Sequence, residues 1–100
     1  MYKVIATKQT RKDAINIERS GLKTHVNEII KVIERNPFEL SQDFEELRGK
    51  WKGVYSRRIN KRHRFVYELL PNIENELDER DCPYDGIVRI LAMWTHYERL

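Results

Sequence analysis

Residues 87–98 limit the fold more than any other stretch of the chain. Val88, Ile90, Ala92 and Trp94 fall on one side of an alternating pattern and Ile87, Leu91 and Met93 on the other, so a strand here is apolar on both faces. Such a strand belongs inside a sheet. Two more segments, 51–59 and 63–70, share its β-branched and aromatic character, and the short polar turn around Asn60 and Lys61 predicts that they form a hairpin. Tyr2 to Ala6 alternates in the same way and reads as a first strand.

Between that strand and the hairpin the period changes. Leu22, Val26, Ile29, Ile30 and Ile33 recur at three and four, which predicts an amphipathic helix ending before Pro37. A shorter helix precedes it, with Thr10 and Asp13 in capping-box spacing and Gly21 as its terminator. Residues 36–49 read as an irregular connection, and 71–86, broken by Pro71 and Pro83, as an exposed acidic loop inserted between strands. The expected fold is α+β: two N-terminal helices packed on one face of a small, mostly antiparallel twisted sheet, with the other face available. A chain of 100 residues supports one domain, 1–100, and one core without staples.

Cys82 is the only cysteine, which suits a reducing compartment, and no apolar run approaches the roughly 20 residues needed to cross a bilayer. Met1 to Ala6 is too short for a signal peptide, so a cytoplasmic protein without membrane contact is expected.

Charge is strongly segregated. Residues 48–64 hold eight Lys or Arg and no acid, whereas 71–86 hold six acids and one Arg, so +8 and −5 lie behind a net charge of +3. The basic block, Arg48, Lys50, Lys52, Arg57, Arg58, Lys61, Arg62 and Arg64, is interleaved with Trp51, Tyr55 and His63. Clustered cations among aromatic rings point to nucleic acid. Metal-free RNA cleavage needs a base, an acid, cations for the phosphate and an orienting group. Candidate groups are present: Glu45 or Glu46, His63 and His96, Arg57, Arg58 and Arg64, Tyr55 and Tyr97. Cys82, His63 and His96 lack zinc-ligand spacing, the acidic loop lacks calcium-loop spacing, and no glycine-rich phosphate cradle exists, so neither metal nor cofactor is expected.

The run Gly53-Val-Tyr-Ser-Arg-Arg-Ile-Asn-Lys-Arg-His-Arg-Phe-Val-Tyr67, followed by Met93-Trp-Thr-His-Tyr97, resembles the Txe/YoeB family of bacterial toxins within the RelE-like superfamily. Asn36-Pro-Phe38 and Glu45-Glu-Leu47 extend the resemblance upstream. It implies a ribosome-dependent endoribonuclease that cuts mRNA in the decoding site, leaving 2′,3′-cyclic phosphate and 5′-hydroxyl ends. It also implies a Phd/YefM-like antitoxin partner, the 70S ribosome and mRNA as further partners, and a homodimer as one state of assembly. By this resemblance Glu45 is the general base, with Glu46 as its neighbour in the alignment, Arg64 stabilises the phosphate, His96 donates the proton and Tyr97 orients. Lys50, Lys52, Tyr55, Arg57, Arg58, Lys61, Arg62 and His63 are the expected RNA-binding residues.

A competing expectation is a non-catalytic module of the same fold that blocks its target by occupancy. The terminal His96-Tyr97 argues against it, and the absence of a basic helical stripe argues against a major-groove DNA reader. Two roles are open to the acidic loop: folding over the basic face, or contacting a partner.

Overall fold

The computed structural model describes residues 1–95. Its elements are β1 (Tyr2–Ala6), α1 (Lys8–Arg19), α2 (Lys23–Arg35), β2 (Glu45–Glu46), β3 (Val54–Arg58), β4 (Arg64–Leu70) and β5 (Gly86–Thr95), with a 3-10 turn at Gly49–Trp51. They make one five-stranded sheet ordered β1-β5-β4-β3-β2, in which β1 runs parallel to β5 and the remaining neighbours are antiparallel. β5 is internal, as its two-sided apolar pattern requires.

Strand alternation divides the side chains between two faces, except that a register slip in β5 after Ile90 turns Ala92, expected beside Val88 and Ile90, to the other face and brings Met93 into the main core. Phe65, Tyr67, Val88 and Ile90 face the helices and join Ile17, Val26, Ile29 and Ile33 in the main core. Val66 and Ala92 turn the other way and pack with Leu47, Val54, Trp51 and Leu91 in a smaller cluster. Among the described residues no α-helix packs on that second face, which is the surface left open. α2 places Val26, Ile29 and Ile33 in the core and ends at Arg35, with Asn36 as an extended cap directly before Pro37.

The start of α1 differs from the capping box expected at Thr10. Thr7 is the cap, its hydroxyl accepting from the Thr10 N–H at 3.2 Å, and Thr10 and Asp13 are buried. Both residues are drawn inward by an irregularity in β5. Tyr67 pairs with Ile90, Val66 with Ala92 and Arg64 with Thr95, so β5 gains residues relative to β4 and part of its backbone leaves the ladder. Helix α1 supplies the missing partners: the Thr10 hydroxyl donates to the Ile90 carbonyl at 2.7 Å, and the Met93 N–H donates to Asp13 Oδ2 at 2.9 Å.

The hairpin forms with shorter arms than expected, because 51–53 belong to the 3-10 turn and its exit. Asn60 Oδ1 closes the connection by accepting from the N–H groups of Arg62 and His63. A two-residue strand, Glu45–Glu46, emerges from the connection expected to be irregular and pairs with Ser56 and Tyr55.

The acidic insertion does not cover the basic face. It leaves β4 at the end opposite Arg64, about 20 Å along the strand, and is fastened to the far edge. There Lys3 bonds Glu76 at 2.8 Å and the Asp85 N–H donates to the Met1 carbonyl at 2.8 Å. Asn72 and Asp78 hold its turns internally.

Asp13→Ala removes the acceptor for a buried N–H and is expected to destabilise the protein by about 1–3 kcal/mol. Lys12→Ala, exposed on the same helix, should stay within about 0.5 kcal/mol when both variants are compared with wild type by urea titration.

Candidate active site

The open face gathers a carboxylate from β2 and a guanidinium from β4. Glu45 stands opposite Ser56 in the β2–β3 register, and Arg64 begins β4 on the same face. Arg64 Nη2 lies 3.8 Å from Glu45 Oε2, while its Nε donates to the Ser56 hydroxyl at 3.0 Å and Nη2 also donates to the Asp43 carbonyl at 2.6 Å. Arg64 is thus oriented from three sides. Its side chain is only 15% exposed, against 48% for Glu45. A fixed cation beside a reachable carboxylate is suited to holding an anion while a proton is removed nearby.

Asp43 ties together two cations that would otherwise repel. Arg58 and Arg64 face each other across the hairpin, and the Asp43 carboxylate takes Arg58 at 3.0 Å while its backbone carbonyl takes Arg64. Asp43 and the preceding Gln42 both have positive φ, 51° and 55°. Glu46 points to the opposite face from Glu45, in register with Tyr55. Of the two adjacent acids, Glu45 is the one beside Arg64.

The basic block divides by burial. Lys50, Lys52, Arg58, Lys61 and Arg62 are exposed, as an RNA-facing surface requires. Three other expected RNA-binding residues lie beneath the sheet instead. Arg57 is fully buried: its Nε donates to the Tyr67 hydroxyl at 3.1 Å, Nη1 to the Ser41 carbonyl at 2.9 Å and Nη2 to the Pro37 carbonyl at 3.2 Å. Tyr55 joins an aromatic cluster with Phe44, Phe38 and Tyr67. His63 is 8% exposed, its ring stacked 3.9 Å from that of Trp94. Alternation explains the first two, since residues 55 and 57 share the helix-facing side of β3 while 54, 56 and 58 share the open side. His96 and Tyr97 lie outside the described residues.

Ser56 and the Asp43 carbonyl were not singled out by sequence. The parity of β3 carried a signal for Ser56, because it places this small polar residue on the open side between Val54 and Arg58. Nothing in the sequence marks a backbone carbonyl. Among the described residues, no group of three or more His, Cys, Asp or Glu is placed to hold a metal ion, and no helix is long and apolar enough to cross a membrane.

Burial pushes the Tyr67 phenol up to about 12, the Arg57 charge and hydrogen bond opposing this. Tyr55 is shifted in the same direction by burial and by Glu46. A raised phenol favours the folded state while protonated, so its contribution is complete below pH 10 and declines as pH rises from 10 towards 12. Tyrosinate absorbance should show a late-ionising group near pH 12, with unfolding free energy falling over that window. Tyr67→Phe should lose both features in large part.

The family model described as YoeB-like toxin of bacterial type II toxin-antitoxin system matches residues 15–97. Toxin YoeB of Escherichia coli K12 is 45% identical over 44 residues, covering 44% of this chain and 52% of that protein. Toxin YoeB of Synechocystis is 43% identical over 44 residues, covering 44% and 51%. The matched region thus spans about half the length of these curated relatives. Over the whole fold, the YoeB/ParE toxin from Agrobacterium tumefaciens superposes with a TM-score of 0.73 at 25% identity, covering 95% of this chain and 99% of that one. The YoeB dimer from Staphylococcus aureus gives 0.71 at 27%, covering 96% and 98%. The heterotetrameric YoeB-YefM complex from the same organism gives 0.68 at 26%, covering 97% and 99%. With the family match running through the hairpin, Glu45 and Arg64, the chain belongs to the YoeB-like toxins of bacterial type II toxin-antitoxin systems.

Proposed function

We propose that this toxin is a metal-independent endoribonuclease that cuts mRNA in the ribosomal decoding site and is restrained by a cognate Phd/YefM-like antitoxin. The observation that carries the reading is the Glu45–Arg64 pair on the uncovered face of the sheet, 3.8 Å apart. In this reaction Glu45 accepts the proton of the 2′-hydroxyl and the 2′-oxygen attacks phosphorus. Arg64 balances the charge that grows on the phosphate oxygens. The departing 5′-oxygen takes a proton from His96 and Tyr97 orients the nucleotide, leaving a 2′,3′-cyclic phosphate and a 5′-hydroxyl.

Thr95, the last described residue, is the register partner of Arg64, and His96 and Tyr97 follow it in sequence. Lys50, Lys52, Arg58, Lys61 and Arg62 supply a sequence-independent attraction for ribosomal RNA phosphates. An antitoxin segment laid over the open face would cover Glu45 and Arg64 together. The YoeB-YefM complex from Staphylococcus aureus, similar over nearly the whole chain, supports a partner of that kind.

Glu45→Gln and Arg64→Ala should each slow cleavage of ribosome-bound mRNA by about 100-fold or more. Reversing Lys61 and Arg62 to Glu should chiefly weaken ribosome binding and flatten its salt dependence. Cleavage by the Glu45 and Arg64 variants at the wild-type rate would contradict the assignment.

A further inference from the structure

Arg57 and Tyr67 lie on the wrong side of the sheet to touch a bound RNA, yet both end on the loop that completes the open face. The Tyr67 hydroxyl donates to the Pro37 carbonyl at 2.6 Å and accepts from Arg57 Nε. Arg57 reaches Pro37 and Ser41 with its two amino groups, and the Phe44 ring lies 4.9 Å from its Cζ. Along the free edge of β3 beyond β2, the Arg58 backbone N–H donates to the Gln42 carbonyl at 2.7 Å. The segment 37–44 is therefore hung from β3 and β4 by fixed bonds, while Leu40 at its tip is 88% exposed.

The suspension has a geometric consequence. Gln42 and Asp43 adopt consecutive left-handed conformations, which non-glycine residues hold only where the surroundings over-determine them. That bend aims the Asp43 carbonyl at Arg64 and delivers the chain into β2 with Glu45 opposite Ser56. Burying a guanidinium among neutral oxygens is costly unless each bond is well made, so the loop has little freedom to drift while Arg57 stays in place. We infer that Arg57 and Tyr67 are positioning residues that hold the 37–44 segment so that Asp43 orients Arg64 and Glu45 stands beside it. The inference rests on the reading of this face as an RNA-cleaving site.

Tyr67→Phe tests it with the core ring retained and only the hydroxyl removed. In single-turnover cleavage of ribosome-bound mRNA, the saturating rate should fall about tenfold while the half-saturating toxin concentration changes less than about twofold. Combined with Arg64→Ala, Tyr67→Phe should cause a clearly smaller further loss than it does alone, because the part of its effect that travels through Arg64 is already gone. Arg57→Lys keeps the charge but not the fork, and should be as slow as Tyr67→Phe. Independently of activity, backbone amides of 41–46 should exchange with deuterium about tenfold faster in Tyr67→Phe, with those of α2 unchanged. A wild-type rate in either variant, an equal further loss in the Arg64→Ala background, or unaltered exchange in 41–46 would overturn the inference. Should the wild-type protein cut no ribosome-bound mRNA, the proposed activity falls and the exchange measurement alone decides the positioning claim.

Discussion

A buried guanidinium must turn its N–H groups onto oxygen atoms, and Arg57 does so by gathering Pro37, Ser41 and Tyr67 beneath the sheet. Much of the open face follows from that arrangement. The loop it anchors contributes Asp43, whose carbonyl and carboxylate steady Arg64 and Arg58 respectively, and it leads directly into Glu45. A charged residue used as a structural support thus arranges the charged residues exposed to solvent. The same stretch of β3 serves both purposes because successive side chains point to opposite faces.

A second support lies at the other side of the core. The register slips of β5 against β4 would leave backbone groups without partners, and α1 meets them with Thr10 and Asp13. The irregular stretch of β5 includes the residues nearest Arg64 in register, so this helix contact also fixes the edge of the open face. Charge segregation along the chain becomes segregation in space: exposed Arg58 faces Arg64 across the hairpin, and the acidic insertion is clipped to β1 at the opposite edge of the sheet. Held there, its carboxylates neither cover Arg64 nor compete for it.

Much of the architecture was legible because it depends on period and punctuation. The apolar stripe of α2, the hairpin turn at Asn60 and the two-sided pattern of Ile87 to Trp94 each state a burial requirement that one arrangement satisfies. The short β2 was not legible, since two residues carry no periodicity and Glu45 and Glu46 look like loop acids until Ser56 and Tyr55 pair with them. The Thr10-to-Asp13 spacing imitates a capping box, and only the tertiary demand of β5 reveals its different use. Composition alone makes Arg57 resemble its charged neighbours. Its position in the strand, on the same side as Tyr55 and opposite Ser56, is the signal that places it inside. For the candidate site, the family resemblance pointed to Glu45 and Arg64, which the fold brings within 3.8 Å of each other, whereas the Asp43 carbonyl depends on a backbone bend without a sequence signature.

Acid-base cleavage of RNA on the open face without a metal, as proposed, leaves a chemical signature on the cut ends. The direct measurement is the chemistry of the ends produced when the purified toxin meets programmed ribosomes in excess chelator. Upstream fragments should end in a 2′,3′-cyclic phosphate and downstream fragments begin with a 5′-hydroxyl, with free mRNA left largely intact. Fragments beginning with a 5′-phosphate, or cleavage abolished by the chelator under conditions that preserve the ribosome, would contradict that chemistry.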